Sequence, residues 1–124
     1  MVSHERVANR SLWGFVLVAA TCCFCSPEAI ATVVTPAAAV TVTQTYAYTN
    51  YDGGDFVFST SDTAPGCSSG WYIKSTDPGF KAAVAAVLTA QVAGSYILVY
   101  GDTADLWAGS SGQFCRVQAV GIKS

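Results

Sequence analysis

One segment, residues 77–94, has the pattern of the single helix of this chain, and it limits how the flanking segments can fold. Asp77 is expected to cap the first helical amides, Pro78 suits the first helical position, and Gly94 is a typical helix stop. Apolar side chains recur in this segment at helical spacing, namely Phe80, Val84, Val87, Leu88 and Val92. The sequence therefore predicts one helix with an apolar stripe that packs against a sheet.

Strand patterns lie on both sides of this helix, three before it and two after it. The predicted strands are residues 40–48, 56–58, 71–74, 96–100 and 114–123. Within the first of them, Val40, Val42, Tyr46 and Tyr48 are expected on one face. In the last strand the alternation changes phase before Val120, which predicts a bulge. Residues 101–112 have the composition of a long polar loop.

This order of elements, without internal repeats, predicts one mostly β domain over residues 40–124, preceded by a lead-in segment at 32–39. A five-stranded barrel with its helix between the third and fourth strands is the arrangement of an OB-fold. The alternative is an α+β fold, in which an antiparallel sheet carries one packed helix and the first strand is only an arm.

The N-terminal residues 1–31 have the pattern of a secretory signal peptide. Arg6 and Arg10 precede an apolar run over 12–25, which is shorter than the ~20 residues that span a bilayer. Cleavage is expected after Ala31, with a second candidate site after Ala39, and an uncleaved anchor is the alternative. The prediction is a secreted or periplasmic protein with no transmembrane segment after cleavage.

Two cysteines follow this leader, Cys67 and Cys115. In an oxidising compartment they are expected to form a disulfide, which closes a long loop and stabilises the fold by roughly 4 kcal/mol. Free thiols or a metal site are the alternatives, although this part of the chain has neither histidine nor a Cys-x-x-Cys motif.

Composition excludes several functional classes for residues 32–124. Acidic residues exceed basic ones and no basic stripe is present, so nucleic-acid binding is not expected. Without histidine or glutamate, neither a Ser-His-Asp triad nor a His-ligated zinc site can form. We expect no enzyme, cofactor or metal. The pairs Asp52 with Asp55 and Asp102 with Asp105 remain candidate acid-base or cation sites, although turn aspartates normally bond to the backbone.

Two loops combine aromatic rings with carboxylates, the pattern by which proteins hold sugars. Tyr51 and Asp52 follow the first strand, and Asp102, Asp105 and Trp107 follow the fourth. In an OB-fold these two loops flank the ligand face. The sequence predicts one saccharide surface with Trp107 as a stacking platform. In the alternative, Trp107 and Tyr51 fold back onto the core.

The second face of the helix is small and uncharged. Its residues Ala82, Ala86, Ala90 and Ala93 are predicted to form a homo-oligomer interface, because exposed helix faces usually carry charge. The alternative is that alanine is simply a good helix former exposed to water.

Several of these features together resemble small secreted bacterial OB-fold proteins, most closely the receptor-binding B subunits of toxins with a five-membered B ring, particularly the subtilase-cytotoxin type. The resemblance is carried by Cys67, Gly70-Trp71-Tyr72-Ile73, the helix from Asp77, Gly94, the strand Tyr96–Tyr100 and Cys115. It implies a pentamer with its helices around a central pore and a sugar-binding surface on the barrel.

The sequence therefore predicts a secreted, non-enzymatic binding module for glycans that forms an oligomer. The alternative function is a structural or accessory envelope protein without a small ligand.

Overall fold

A computed structural model describes residues 32–124. The predicted signal peptide at 1–31 lies outside the described residues. The elements are β1 (Val33–Val34), β2 (Val42–Ala47), β3 (Phe56–Thr60), β4 (Gly70–Ile73), α1 (Phe80–Ala93), β5 (Tyr96–Leu106) and β6 (Phe114–Lys123). None of the described helical residues forms a helix long and apolar enough to cross a membrane.

The six strands form one open mixed sheet in the order β1-β5-β6-β4-β3-β2. Strands β4 and β6 are parallel, and all other neighbours are antiparallel. The predicted mostly β fold with one helix is confirmed. A closed five-stranded barrel is not observed, because β1 and β2 are edge strands that do not pair with each other. The alternative, an α+β fold with one helix packed on an antiparallel sheet, fits broadly, but the sheet is mixed because β4 and β6 are parallel.

One isolated bridge joins two parts of the sheet that are distant in strand order. Val40, just before β2, pairs with Ile97 of β5. The amide of each residue donates to the carbonyl of the other, with N···O distances of 3.0 and 2.7 Å. The sheet is therefore curled so far that its β2 end lies beside β5.

The strand boundaries differ from the predicted ones in two places. Val33 and Val34 of the predicted lead-in form β1 and pair with Asp102 and Gly101. This makes β5 longer than expected, and the loop prediction for 101–112 is wrong over residues 101–106.

The bulge predicted in the last strand is confirmed. Tyr100 pairs with Ala119 while Gly101 pairs with Val117, so Gln118 is the additional residue in β6.

Helix α1 covers one face of the sheet. Val87 and Ala90 are fully buried there, with Phe80, Ala83 and Val84 packed partly against the same core. Leu88 is 40% exposed and Val92 is 90% exposed, so the predicted stripe is wrong at these two positions. The buried stripe includes the alanines Ala83 and Ala90.

The two predicted helix ends have different outcomes. Gly94 adopts a left-handed conformation with φ 64° and ends α1, as predicted. The Asp77 cap is wrong, because α1 starts at Phe80 after Gly79 and has no side-chain cap. The Asp77 carboxylate instead accepts hydrogen bonds from Arg116 and from the amide of Lys74.

The predicted disulfide is confirmed between Cys67 and Cys115, whose Cα atoms are 5.3 Å apart. Both cysteines are fully buried in the core on the helix side, together with Trp71. The bond attaches the loop before β4 to the start of β6. It therefore anchors the irregular segment 61–69 to the centre of the sheet.

A second, smaller cluster lies on the other face of the sheet. It consists of buried Val57, Tyr72 and Trp107, with Tyr48 and Phe114 packed against them. The prediction that Tyr48 shares a face with Val40 and Val42 is wrong. The pairing of β2 with β3 shifts between Val42 and Gln44, and such a bulge reverses the alternation of the following side chains.

Candidate ligand-binding site

A row of aromatic rings lies on the sheet face opposite the helix. The Tyr48 ring centre is 5.1 Å from that of Trp107 and 5.8 Å from that of Tyr51. Phe114 meets Trp107 edge-on, with 5.9 Å between ring centres. These separations are typical of aromatic pairs that add to the stability of a cluster. Two exposed rings end the row: Tyr51, at 54% exposure, and Tyr46, at 49%, whose ring centre is 6.1 Å from that of Tyr48.

Trp107 is buried in this row. Its exposure is 4%, so the predicted open stacking platform is wrong, and the alternative that Trp107 packs on the protein describes its position. Gly109 lies directly against the indole. A methyl carbon added at Gly109 would lie 2.2 Å from Cζ2 of Trp107, so only glycine fits here without a shift.

The two loops that were predicted to share one surface lie next to each other. The Tyr51 hydroxyl donates to the Gly109 carbonyl oxygen at 3.0 Å. This hydrogen bond joins the β2–β3 loop to the β5–β6 loop across 58 residues of sequence. The ring of Tyr51 and the backbone of Gly109 thus form one continuous surface.

A cavity of about 150 Å³ opens beside this junction. Its principal side chains are three carboxylates, one ammonium group and two aromatic residues: Asp52, Asp55, Asp105, Lys74, Tyr72 and Trp107. Three of the five predicted ligand-binding residues line it, since Asp52, Asp105 and Trp107 are among them. Tyr51 lies at the adjacent loop junction.

Asp102, the remaining predicted residue, does not line this cavity. It is 8% exposed, and its carboxylate accepts a hydrogen bond from the Ala104 amide at 2.8 Å. Asp102 therefore supports β5 where its pairing with β6 becomes irregular. This is the ordinary backbone role of an aspartate in a bend.

A hydrogen-bond network holds Asp105 at the wall of the cavity. The Tyr72 hydroxyl donates to Oδ1 of Asp105 at 2.6 Å, and Arg116 donates to Oδ2 at 2.8 Å. Arg116 also bonds to Asp77, in the turn before α1. The network thus connects β4, β5 and β6 with the start of the helix.

The network changes the ionisation of its members. Burial alone would raise the pKa of the Asp105 carboxyl, but hydrogen bonds from Tyr72 and Arg116 lower that pKa below its ordinary value. Burial and the hydrogen bond to Asp105 raise the pKa of the Tyr72 hydroxyl far above its ordinary value. At neutral pH, Asp105 is therefore a carboxylate and Tyr72 a neutral donor.

Asp55 supports the floor of the cavity. It is 3% exposed, and its Oδ1 accepts the Ser75 amide at 2.8 Å. The Ser75 hydroxyl in turn donates to the Gly53 carbonyl at 2.7 Å. These bonds attach the β2–β3 loop to the segment after β4, so Asp52 is presented by a loop that is fixed at its base.

The indole N–H of Trp107 is buried and has no hydrogen-bond acceptor among the described residues. Leaving such a donor unpaired costs about 1–3 kcal/mol. The nitrogen itself has almost no accessible surface, so a molecule in the cavity does not reach it and the rest of the fold offsets this cost.

Sequence reasoning missed Tyr72, Lys74 and Arg116 at this site. Tyr72 and Lys74 are two residues apart on and just after β4, and strand alternation predicts that they share a face. No local pattern identifies Arg116, since its partner Asp77 is 39 residues away in sequence.

The four alanines of the predicted oligomer face differ in how far they are buried. Ala82 and Ala93 are exposed and Ala86 is half-buried. Ala90 is fully buried in the core of its own chain, so its assignment to a subunit interface is wrong.

Residues 32–124 contain no group of three side chains suited to hold a metal ion.

Comparisons with protein-family models, with curated proteins and with solved structures found no match for this chain. The resemblance to toxin B subunits thus stays a prediction, and the site is described by its own geometry.

Proposed function

We propose that this protein is a secreted, non-enzymatic binding module whose ligand is a glycan. One observation carries the proposal: the β2–β3 and β5–β6 loops meet beside a cavity that combines aromatic rings with carboxylates. Rings contact the apolar face of a sugar, and carboxylates accept hydrogen bonds from its hydroxyls. Tyr51 is the ring that an incoming sugar meets first, because it is the exposed ring at the junction of the two loops.

We further propose that the fold is a partly open barrel of the OB type. Strands β2, β3 and β4 are consecutive antiparallel neighbours, and β5 returns through the helix to the residue before β2. That order is the one found in a Greek key. In OB-folds the loops corresponding to β2–β3 and β5–β6 flank the ligand face, which supports the proposed site.

Comparing two tyrosine variants on a glycan array tests the function. Tyr51→Ala should abolish or strongly reduce binding, whereas Tyr96→Ala should not. Tyr96 is a control of similar exposure, 56% against 54% for Tyr51, at the end of β5 opposite the β5–β6 loop. Because β5 also carries the proposed subunit contact, sedimentation first checks that both variants keep the mass of the unmodified protein. An array on which the unmodified protein binds no glycan, or on which both variants bind like it, would contradict the proposal.

The oligomer, a pentamer if the toxin resemblance holds, is part of the same proposal. Its support is an exposed apolar row on the outer face of β5, formed by Tyr96, Leu98 and Tyr100. The row also favours the second candidate function, a structural or accessory envelope protein that binds another protein and no small ligand. Sedimentation analysis tests the oligomer, and a monomer would exclude it. A self-associating protein with a blank array would favour the second candidate.

A further inference from the structure

Three tyrosine rings follow one another on the sheet face opposite the helix, and we call Tyr46, Tyr48 and Tyr51 the tyrosine row. The ring centre of Tyr48 is 6.1 Å from that of Tyr46 and 5.8 Å from that of Tyr51. Tyr46 pairs with Val57, a buried member of the small cluster on this face, and cross-strand partners lie on the same side of a sheet. The row therefore continues from the loop junction along β2.

Both ends of the tyrosine row are open to solvent. Tyr46 is 49% exposed and Tyr51 is 54% exposed, whereas Tyr48 between them is half-buried. The Gln44 side-chain amide donates a hydrogen bond to the Tyr46 hydroxyl, which restrains the outer ring. A contiguous exposed aromatic surface of this kind is typical of a binding site.

The segment that carries the row has no charged side chain. Residues 40–51 are valine, threonine, glutamine, tyrosine, alanine and asparagine. Aromatic rings among neutral hydroxyl and amide groups suit a neutral ligand that has both apolar faces and hydroxyls, and a sugar chain is such a ligand. A nucleic acid or an acidic polysaccharide would find no cation in this segment to pair with its charges.

The row is also longer than one sugar. A pyranose ring and a phenol ring are of similar size, so one sugar covers about one tyrosine. Because the three ring centres follow one another at 5.8 and 6.1 Å, consecutive sugars of one chain can each contact a ring.

We infer that the ligand is a linear, neutral glycan chain that lies lengthwise along the tyrosine row. This inference rests on the proposed glycan-binding function and specifies its ligand class. The chain contacts the exposed ring of Tyr51 at the loop junction, passes Tyr48 and continues to Tyr46. A terminal sugar held in the cavity alone would not reach the outer ring, because Tyr46 does not line the cavity.

An array of chain-length series tests the inference. The probes are gluco-, manno- and xylo-oligosaccharides from the monosaccharide to the hexasaccharide, oligogalacturonides as acidic chains, and branched glycans that display single terminal sugars. In at least one neutral series, we expect binding to rise at least about tenfold from the monosaccharide to the trisaccharide and then to level off.

Two variants that each replace an exposed strand residue with threonine show whether the row causes this dependence. Tyr46→Thr removes the outer ring but keeps a residue that favours strands, so β2 is expected to fold normally. It should reduce binding of the trisaccharide and longer chains about tenfold. Ile122→Thr is the control and should bind like the unmodified protein. Ile122 has a similar exposure, 46%, and pairs with Ile97, whose side chain lies in the core on the helix side.

Each result supports or overturns the inference. Equal binding along every neutral series, strongest binding of oligogalacturonides or of a branched glycan, or equal losses in Tyr46→Thr and Ile122→Thr would overturn it and leave the proposed glycan-binding function standing. A lower sedimenting mass for Tyr46→Thr than for the unmodified protein would also overturn it, because the row would then contact a second copy of the chain. A blank array would overturn both the inference and the proposed function.

Discussion

Substituting Gly109 by alanine tests whether the β5–β6 loop really closes over Trp107. The added methyl carbon would lie 2.2 Å from Cζ2 and 2.5 Å from Cε2 and Cη2 of the indole. Separations this short cannot persist, so either the loop lifts or the ring rotates within its cluster. Lifting the loop also stretches the hydrogen bond from Tyr51 to the Gly109 carbonyl.

The expected cost follows from these two effects. Overpacking of a buried site costs about 1–3 kcal/mol, and a lost hydrogen bond adds about 1 kcal/mol. Together they cost about 2–4 kcal/mol, and for a domain of this size the lower end, about 2 kcal/mol, already lowers Tm by roughly 8–16 °C. Thermal unfolding followed by circular dichroism measures the shift, and the indole N–H resonance of Trp107 reports whether the ring environment changes.

Gly121→Ala is the matched control, because a methyl carbon there meets no atom within 4 Å. It should leave Tm unchanged or raise it slightly, since alanine restricts the unfolded chain. If Gly109→Ala also leaves both Tm and the Trp107 resonance unchanged, the close contact between the loop and the indole is wrong.

Two further predictions concern the network and the helix. Tyr72→Phe removes one hydrogen bond that lowers the pKa of Asp105. Because the Asp105 side chain is 41% exposed, we expect the free energy of unfolding at pH 7 to fall by under about 1 kcal/mol. A lowered carboxyl pKa contributes stability that is present above its ordinary value of 3.8 and is lost as pH falls through the folded-state value. Urea unfolding at several acidic pH values should therefore show a smaller acid loss in the variant than in the unmodified protein, and equal losses would contradict this reasoning. In the helix, Val87→Ala should cost about 2 kcal/mol by urea unfolding, whereas Val92→Ala, at a 90% exposed position, should change stability by less than about 0.5 kcal/mol. Similar costs at both positions would refute the observed orientation of the helix.

Each feature that the sequence predicted correctly depends either on a signal in the local sequence or on a pairing with one possible partner. Gly94 ends the helix because a residue without Cβ readily adopts the left-handed conformation there. Cys67 and Cys115 pair because they are the two cysteines that follow the predicted leader. The bulge in β6 was visible as a change in the phase of alternation. The helix stop and the bulge are signals within the segment that they describe, whereas the disulfide joins residues 48 apart and was predictable because a single pairing was available.

Side-chain placement at the candidate site depends instead on residues far apart in the chain. Thr43 is the additional residue between Val42 and Gln44, and it transfers the tyrosines that follow it to the opposite face of the sheet. The sequence did not show this shift, because the side chains of this run suit a buried or an exposed face.

Asp77 shows how a tertiary contact overrides a local preference. By sequence it has the position of a helix cap, yet Arg116 from the last strand engages its carboxylate. The carboxylate accepts from Arg116 and from the Lys74 amide, and the first helical amides receive no side-chain cap.

From the sequence alone follow the mostly β class and the single helix, because hydrophobic spacing encodes them, and the disulfide, because two cysteines follow the predicted leader. The β2–β3 loop with Tyr51 and Asp52 follows as well, whereas Asp102 and Asp105 lie in β5 and not in the predicted loop. Only the tertiary structure decides that Trp107 is buried beneath Gly109 and that Tyr72 and Arg116 hold Asp105. It also decides that the Asp102 carboxylate accepts a backbone hydrogen bond away from the cavity. The physical reason is that burial and charge pairing depend on which strands become neighbours. Here the parallel pairing of β4 with β6 sets Tyr72 beside Arg116.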